Sequence, residues 1–297
     1  MTNKLSIVDN GADRPFMNAI EYSQKAAELY AIPETASMIK RMSDSGKANV
    51  QDIASTVMLD PGLAAQILKL SNSSIYRFSR KIESVEKAIQ VIGVRAVYDY
   101  ALVFSVANAL GKDQARYINV DDYWKQSLVC AFMGKHIAKL CGERDIHRVV
   151  TSGLLHNVGE LAVLRVNPNT VRDCNRFGAT VKPKQSQQDV LGFSYAEISA
   201  SLLQRWMLPD SIVSTVAMQH HDDGPSVTME SQIMQLAYEL SLVMAYPDYY
   251  RIDKHVPSFL YQCLDLHAEQ LVGLFDTVRK ECDETLKLFS KSVSQAA

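Results

Sequence analysis

Apolar residues recur along this chain at steps of three and four, the spacing of one helix face. No stretch alternates with the period of two that a half-buried strand requires. The pattern is clearest over residues 84–110. There Val85, Ala88, Ile89 and Ile92 form one stripe, and Val94, Val97, Ala101, Leu102, Val106 and Ala109 form a second. Gly93 separates the stripes and predicts a break. Similar patterns predict helices at 16–30, 34–45, 50–59, 61–73, 122–141, 146–165, 195–206, 209–221, 228–246, 257–266 and 268–290. Residues 167–190 are polar and poorly periodic, and read as loop with at most a short helix. Gly (13) and Pro (9) leave too little turn material for a β-sandwich or barrel. The expected class is all-α.

Local signals fix several boundaries. Asp60-Pro61 is a start signal, an N-cap followed by Pro at the first helical position. Ser194-Tyr195-Ala196-Glu197 has the spacing of a capping box, and its helix carries the stripe Tyr195, Ile198, Leu202, Trp206. Asp121 or Asp122 is the expected cap of the 122–141 helix. That helix is apolar nearly all round and is therefore expected to be buried.

A chain of 297 residues accommodates about two domains. The polar stretch Gly111–Asp122 is the best boundary. The expected organisation is a lead-in at 1–15, an N-terminal helical lobe at 16–115, a second lobe at 120–246 and a helical extension at 247–297.

Composition narrows the function classes. Lys plus Arg (31) nearly balance Asp plus Glu (33), so no global field draws the chain to nucleic acid or to an anionic membrane. Five cysteines, an odd number without CxxC spacing, give neither a disulfide framework nor a zinc motif. Cys130 and Cys141 share one predicted helix and stand about 16 Å apart, too far to bridge. Reduced thiols, a first segment without an apolar run and no span long enough for a bilayer predict a cytoplasmic protein. Residues 50–73 superficially match a helix-turn-helix. The second helix, however, offers base edges only Gln66 and Lys69, and Leu63, Ile67 and Leu70 read as a core stripe. DNA binding is thus the third-ranked function, and nucleic acid is not the expected partner.

Three strings carry a family resemblance. One is DPGLAAQILKLSNSS (60–74), preceded by Ala31-Ile32-Pro33 and followed by AIQVIGVRAV (88–97). Another is YWKQSLVCA (123–131). The third is LLHNVGEL (154–161) with GFSYAEISASLLQRWMLP (192–209) and MQHHDD (218–223). Together they resemble the HDOD domain, the bacterial HD-related output domain, over about residues 25–225. This is a divergent branch of the HD phosphohydrolase superfamily. The resemblance implies two helical lobes, an N-terminal bundle packed on an HD-like bundle, with a regulatory role in bacterial signalling.

Active HD relatives hold divalent metals with His and Asp from several helices, and the metal activates a water. Carried onto this chain, the first ligand His becomes Gln126. The His-Asp pair becomes His156-Asn157, and the following Lys becomes Glu160. The loop-to-helix His becomes Tyr195. The His-His pair is kept as His220-His221, and the last Asp aligns loosely with Tyr238. Both aligned metal carboxylates are gone, so the hollow is expected to offer a cation only uncharged donors. The resemblance therefore implies no catalytic residue, no metal and no cofactor, and a vestigial pocket formed by Gln126, His156, Asn157, Glu160, Tyr195, His220, His221 and Tyr238.

Plainer readings stand beside these. His156 on an apolar helix is also what a hydrogen-bonded core histidine looks like, and Asn157 could cap or cross-link helices. Gln126 and Tyr195 could satisfy one another. His220 and His221 could be imidazolium at a helix C-terminus, paired with Asp222 or Asp223. Met207, Met218, Met229, Met234 and Met244 read as core or as an adaptable partner groove. The leading expectation is a non-enzymatic signalling module acting through protein–protein contacts, with a small-molecule or nucleotide ligand and a homo-oligomer left open. The alternative is a metal-dependent phosphohydrolase acting on a nucleotide or cyclic dinucleotide.

Overall fold

The structure, a computed structural model, describes residues 17–29, 34–73, 76, 78, 80–108, 116–220 and 228–295. Among them there are helices and no strand. The first six are α1 (Ala19–Leu29), α2 (Glu34–Ser45), α3 (Val50–Met58), α4 (Pro61–Ser71), α5 (Val85–Ile92) and α6 (Val94–Asn108). Next come α7 (Val120–Leu140), α8 (Ile146–Leu155), α9 (Val158–Val166), α10 (Pro168–Cys174), α11 (Pro183–Leu191), α12 (Tyr195–Arg205) and α13 (Asp210–Ala217). A 3-10 turn, Met218–His220, precedes α14 (Met229–Ala245), α15 (Ile252–His255), α16 (Ser258–Gln262) and α17 (Ala268–Gln295). None of them is long and apolar enough to cross a membrane.

The predicted stripes are the core. Val85, Ala88, Ile89 and Ile92 of α5 are buried, and the break before α6 falls at Gly93, where φ is 86°. Leu63, Ile67 and Leu70 of α4 are buried as well. The Asp60 side chain caps α4 by accepting from Leu63 N at 3.0 Å. Along α7 burial runs all round, through Trp124, Leu128, Phe132 and Ile137. Each such side chain withdrawn from water contributes about 1.5–3 kcal/mol, which makes α7 the axis of the second lobe. Helices α8, α14 and α17 pack around it.

Helices α2 to α6 pack on one another, whereas α1 packs mainly on α9 and α12. One contact ties α6 to the end of α12, and another ties α1 to α12. Tyr98 Oη donates to the Trp206 carbonyl at 2.9 Å, and Ser23 and Ser201 share a hydrogen bond of 2.8 Å. The extension is part of the core as well. Helix α17 lies along α7 and reaches α4, and buries Leu271, Val278, Glu281, Cys282 and Thr285. All five cysteines are free thiols.

Several expectations need correction. The 146–165 helix is two helices, α8 and α9, which meet at His156-Asn157. Burial continues on both sides of the joint, so apolar periodicity could not reveal it. The 167–190 loop contains α10 and α11. Pro168 and Pro183, read as loop residues, occupy the first helical positions. The cap of α7 is Asn119, whose side chain accepts from Asp121 N and Asp122 N, rather than either aspartate. The methionines do not share one role. Met234 is core, Met218 and Met244 are half-buried, and Met207 and Met229 are exposed. The lead-in at 1–15 and most of the boundary stretch (109–115) lie outside the described residues.

Candidate functional site

Helices α7, α9, α11, α12 and α14 surround a cavity of about 320 Å³ that receives five of the eight expected site residues: Gln126, Asn157, Glu160, Tyr195 and Tyr238. Close approach of two helices sets its floor. A Cβ on Gly159 would fall 2.2 Å from the Tyr195 carbonyl oxygen, so only glycine lets α9 meet α12 there. Gly159 N donates to Ser199 Oγ at 2.8 Å across that contact. The capping box of α12 forms as expected, with Ser194 N donating to Glu197 Oε2 at 2.7 Å.

Glu160 lies on the floor, 8% exposed. Asn157 Nδ2 donates to its Oε2 at 2.6 Å, and Asn175 Nδ2 donates to its Oε1 at 3.0 Å. Burial pushes this carboxyl above its ordinary range, and the two carboxamide bonds oppose the rise. Asn157 thus cross-links locally to Glu160. It heads α9 without a side-chain cap bond. Asn175 belongs to this arrangement and escaped the sequence reading, because nothing in a polar segment singles out one asparagine.

Tyr195 is fully buried in the first turn of α12, and its backbone N donates to Gln187 Oε1 at 2.8 Å. Its hydroxyl does not bond to Gln126 as one reading expected. It faces the Cys174 thiol and meets no hydrogen-bonding oxygen or nitrogen. The cavity is not the uncharged hollow expected from the sequence, since Asp122 lines it along with Glu160.

The imidazoles lie elsewhere. His156, 1% exposed, ends α8, and its Nδ1 sits 2.8 Å from the Gly153 carbonyl. Nδ1 therefore carries the proton, and Nε2 is a buried acceptor without a partner. Burial lowers its pKa to about 4. His220 ends the 3-10 turn and opens onto a second cavity of about 380 Å³, which also receives Gln219, Lys182 and Lys184. Burial, then the positive charge of Lys184, lowers its pKa to about 3. The expected imidazolium at this helix end is therefore a neutral imidazole. Its carbonyl accepts from Lys184 Nζ at 2.7 Å. His221, Asp222 and Asp223 lie outside the described residues.

Tyr238 of α14 stands between the two groups and lines both cavities. Its ring meets His156 edge to face at 5.9 Å between centroids and His220 at 4.5 Å. Glu160 and Asp122 line the first cavity, and His220 lines the second together with the Lys182–Glu239 ion pair, 2.8 Å between Nζ and Oε2. No group of three or more His, Cys, Asp or Glu forms among the described residues.

Comparison with known proteins agrees with this architecture. The HDOD domain matches residues 29–222. An uncharacterised protein of Treponema pallidum is 23% identical over 209 residues, a match covering 68% of this chain and 40% of that longer protein. Among solved structures, a candidate signal-transduction protein from Marinobacter aquaeolei is similar with a TM-score of 0.68. It is 21% identical, over 93% of this chain and 67% of the other. A candidate phosphohydrolase from Shewanella amazonensis gives 0.66 at 21% identity, covering 92% and 97%. An HDOD protein from Geobacter sulfurreducens gives 0.58 at 18%, covering 94% and 98%. At these identities the solved structures establish the fold and leave the reaction open. The match over residues 29–222 settles the lineage: this chain belongs to the HDOD domain family.

Proposed function

We propose that this protein is a non-enzymatic module of bacterial signal transduction that acts through protein–protein contacts, its former metal site kept as a ligand pocket. The observation that carries this reading is that the retained donors do not converge: no three His, Cys, Asp or Glu come together among the described residues. Metal-dependent hydrolysis needs imidazoles and carboxylates converging on one ion with an open position for water. Here Glu160 has both oxygens engaged by asparagine amides, the Tyr238 ring packs edge to face on both imidazoles, and no such group of three forms among the described residues. Asn157 contributes no negative charge to hold a hard cation.

The rival reading, a metal phosphohydrolase, makes a different prediction for the same sample. Purified protein loaded with Mn²⁺ or Fe²⁺ and assayed on nucleotides and cyclic dinucleotides is expected to retain no stoichiometric metal and to show no turnover. Stoichiometric metal with measurable hydrolysis would overturn the proposal. Affinity capture from the native lysate is expected to return a discrete partner that is absent from a Tyr98→Ala, Trp206→Ala control with loosened lobes. Recovery of nucleic acid instead would favour the helix-turn-helix reading.

A further inference from the structure

The first cavity has an unusual chemistry for a fold whose relatives bear names linked to phosphate esters. It contains two carboxyl groups, Glu160 and Asp122, and among the described residues no Lys, Arg or His lines it. Its sides are aromatic. Phe177 and Tyr246 meet edge to face at 5.1 Å, and Tyr246 stacks on Tyr249 at 6.4 Å with 14° between planes. Tyr123, Tyr195 and Tyr238 complete the aromatic surround. Phosphate recognition uses guanidinium, ammonium or the positive end of a helix. The N-terminal ends of α7, α9, α11 and α12 do reach this cavity, through Asn119, Asn157, Pro183 and Tyr195. A phosphate placed here would nevertheless meet the like charge of Glu160 and Asp122 without a basic side chain to offset it. The second cavity is of mixed charge, with Lys182 and Lys184 beside Glu239, which pairs with Lys182 at 2.8 Å.

Two further observations point to a ligand. Glu160 is a buried carboxyl whose partners are two neutral amides, with no cation against it among the described residues. A buried charge in that position is costly unless something positive comes to it. Tyr195 lines the cavity, and its buried hydroxyl meets no hydrogen-bonding oxygen or nitrogen, only the Cys174 thiol. Aromatic faces around a carboxylate are the setting in which an organic ammonium is attracted by both ring quadrupole and charge.

Building on the ligand-pocket reading above, we infer that this cavity binds a small organic ammonium compound, its cation against Glu160 and within the rings of Phe177, Tyr246 and Tyr249, and that it rejects phosphate esters. A volume of about 320 Å³ suits a molecule of the size of choline or a short diamine. A metal ion is a poorer match, since both Glu160 oxygens are already engaged by asparagine amides and no third His, Cys, Asp or Glu joins the two carboxyl groups among the described residues.

The test is calorimetric titration of the full chain with choline, putrescine, AMP, inorganic phosphate and Mn²⁺. The expected result is saturable binding of at least one of the two amines, and no displacement of it by AMP or phosphate. Glu160→Gln and Tyr246→Ala should each weaken binding tenfold or more, and circular dichroism would confirm that each variant folds. Asp122→Asn, at an exposed position, gives a third reading with little risk to folding and should weaken binding by a few-fold. Absence of binding by both amines, binding unaffected by all three substitutions, or displacement by AMP would overturn the inference. The contact-module reading would survive those outcomes; metal-dependent turnover, or capture of nucleic acid in place of a protein, is what would overturn it.

Discussion

Lys135 of α7 places its Nζ 3.3 Å from Glu281 Oε2 of α17, with both side chains almost completely buried. His136 Nε2 adds a contact of 3.2 Å to the other carboxylate oxygen. Withdrawing two charges from water is recovered only while both partners are present. Glu281→Ala should therefore cost about 3–5 kcal/mol in urea unfolding, by leaving a lysine in apolar surroundings. The double change Lys135→Met, Glu281→Leu should restore most of that loss. Equal instability of the single and double variants would contradict this account.

The buried imidazoles should make the protein acid-sensitive. His156 titrates near pH 4 in the folded protein and near 6.5 when unfolded. Between those values the unfolded chain binds the additional proton, so stability falls as pH drops from about 6.5 towards 4. The full shift corresponds to roughly 3 kcal/mol, and His220 acts in the same direction. His156→Gln, which cannot titrate, should flatten the curve between pH 4 and 6.5 in chemical denaturation. An unchanged slope would exclude His156 as the source.

Asp99 acts with the opposite sign. Burial on α6 raises its carboxyl to about 7, although Arg95 Nε approaches to 3.5 Å. A folded pKa above the unfolded value means that stability is lost as pH rises from about 4 to 7. Asp99→Asn should consequently stabilise the protein by about 1–3 kcal/mol at pH 8 and by little at pH 4. Thermal denaturation at the two pH values distinguishes this from a general packing effect.

Restoring the ancestral-looking acid at position 157 should not restore a metal site. The Asn157 amide donates to Glu160 Oε2 at 2.6 Å, and Asn157→Asp would replace that donor with a second acceptor. The expected outcome is a loss of about 1–3 kcal/mol at pH 8. It should be smaller at pH 5, where one of the pair can hold a proton. Gain of metal-dependent hydrolysis by this variant would refute the view that the retained donors do not converge on one ion.

Close approach of α9 and α12 gives a steric prediction. Gly159→Ala would drive a methyl group into the Tyr195 carbonyl and the Ser199 backbone. A cost of about 1–3 kcal/mol is expected, together with weaker amine binding, because Glu160 sits on the same turn. A stable variant with intact binding would show that the two helices can part without disturbing the floor.

Residue patterns exposed much of this architecture and hid part of the site, for identifiable reasons. Stripes such as Leu63, Ile67 and Leu70 are visible because one face of α4 is buried and the other is not. The joint at His156-Asn157 is invisible because α8 and α9 are buried on both sides of it. Six vestigial positions near the cavities were identifiable by matching motif strings. Their grouping was not, because it depends on where the Tyr238 ring points. The negative character of the first cavity also escaped, since Asp122 was read as a helix cap and Asn175 as loop. Charge at a site is a property of what converges there, and one-dimensional spacing does not report convergence across α7, α9, α10 and α14.

Because Tyr238 lines both cavities, neither can be reshaped at that wall alone. A substitution there would alter both chambers and the packing on two imidazoles together, with a single side chain as their common wall.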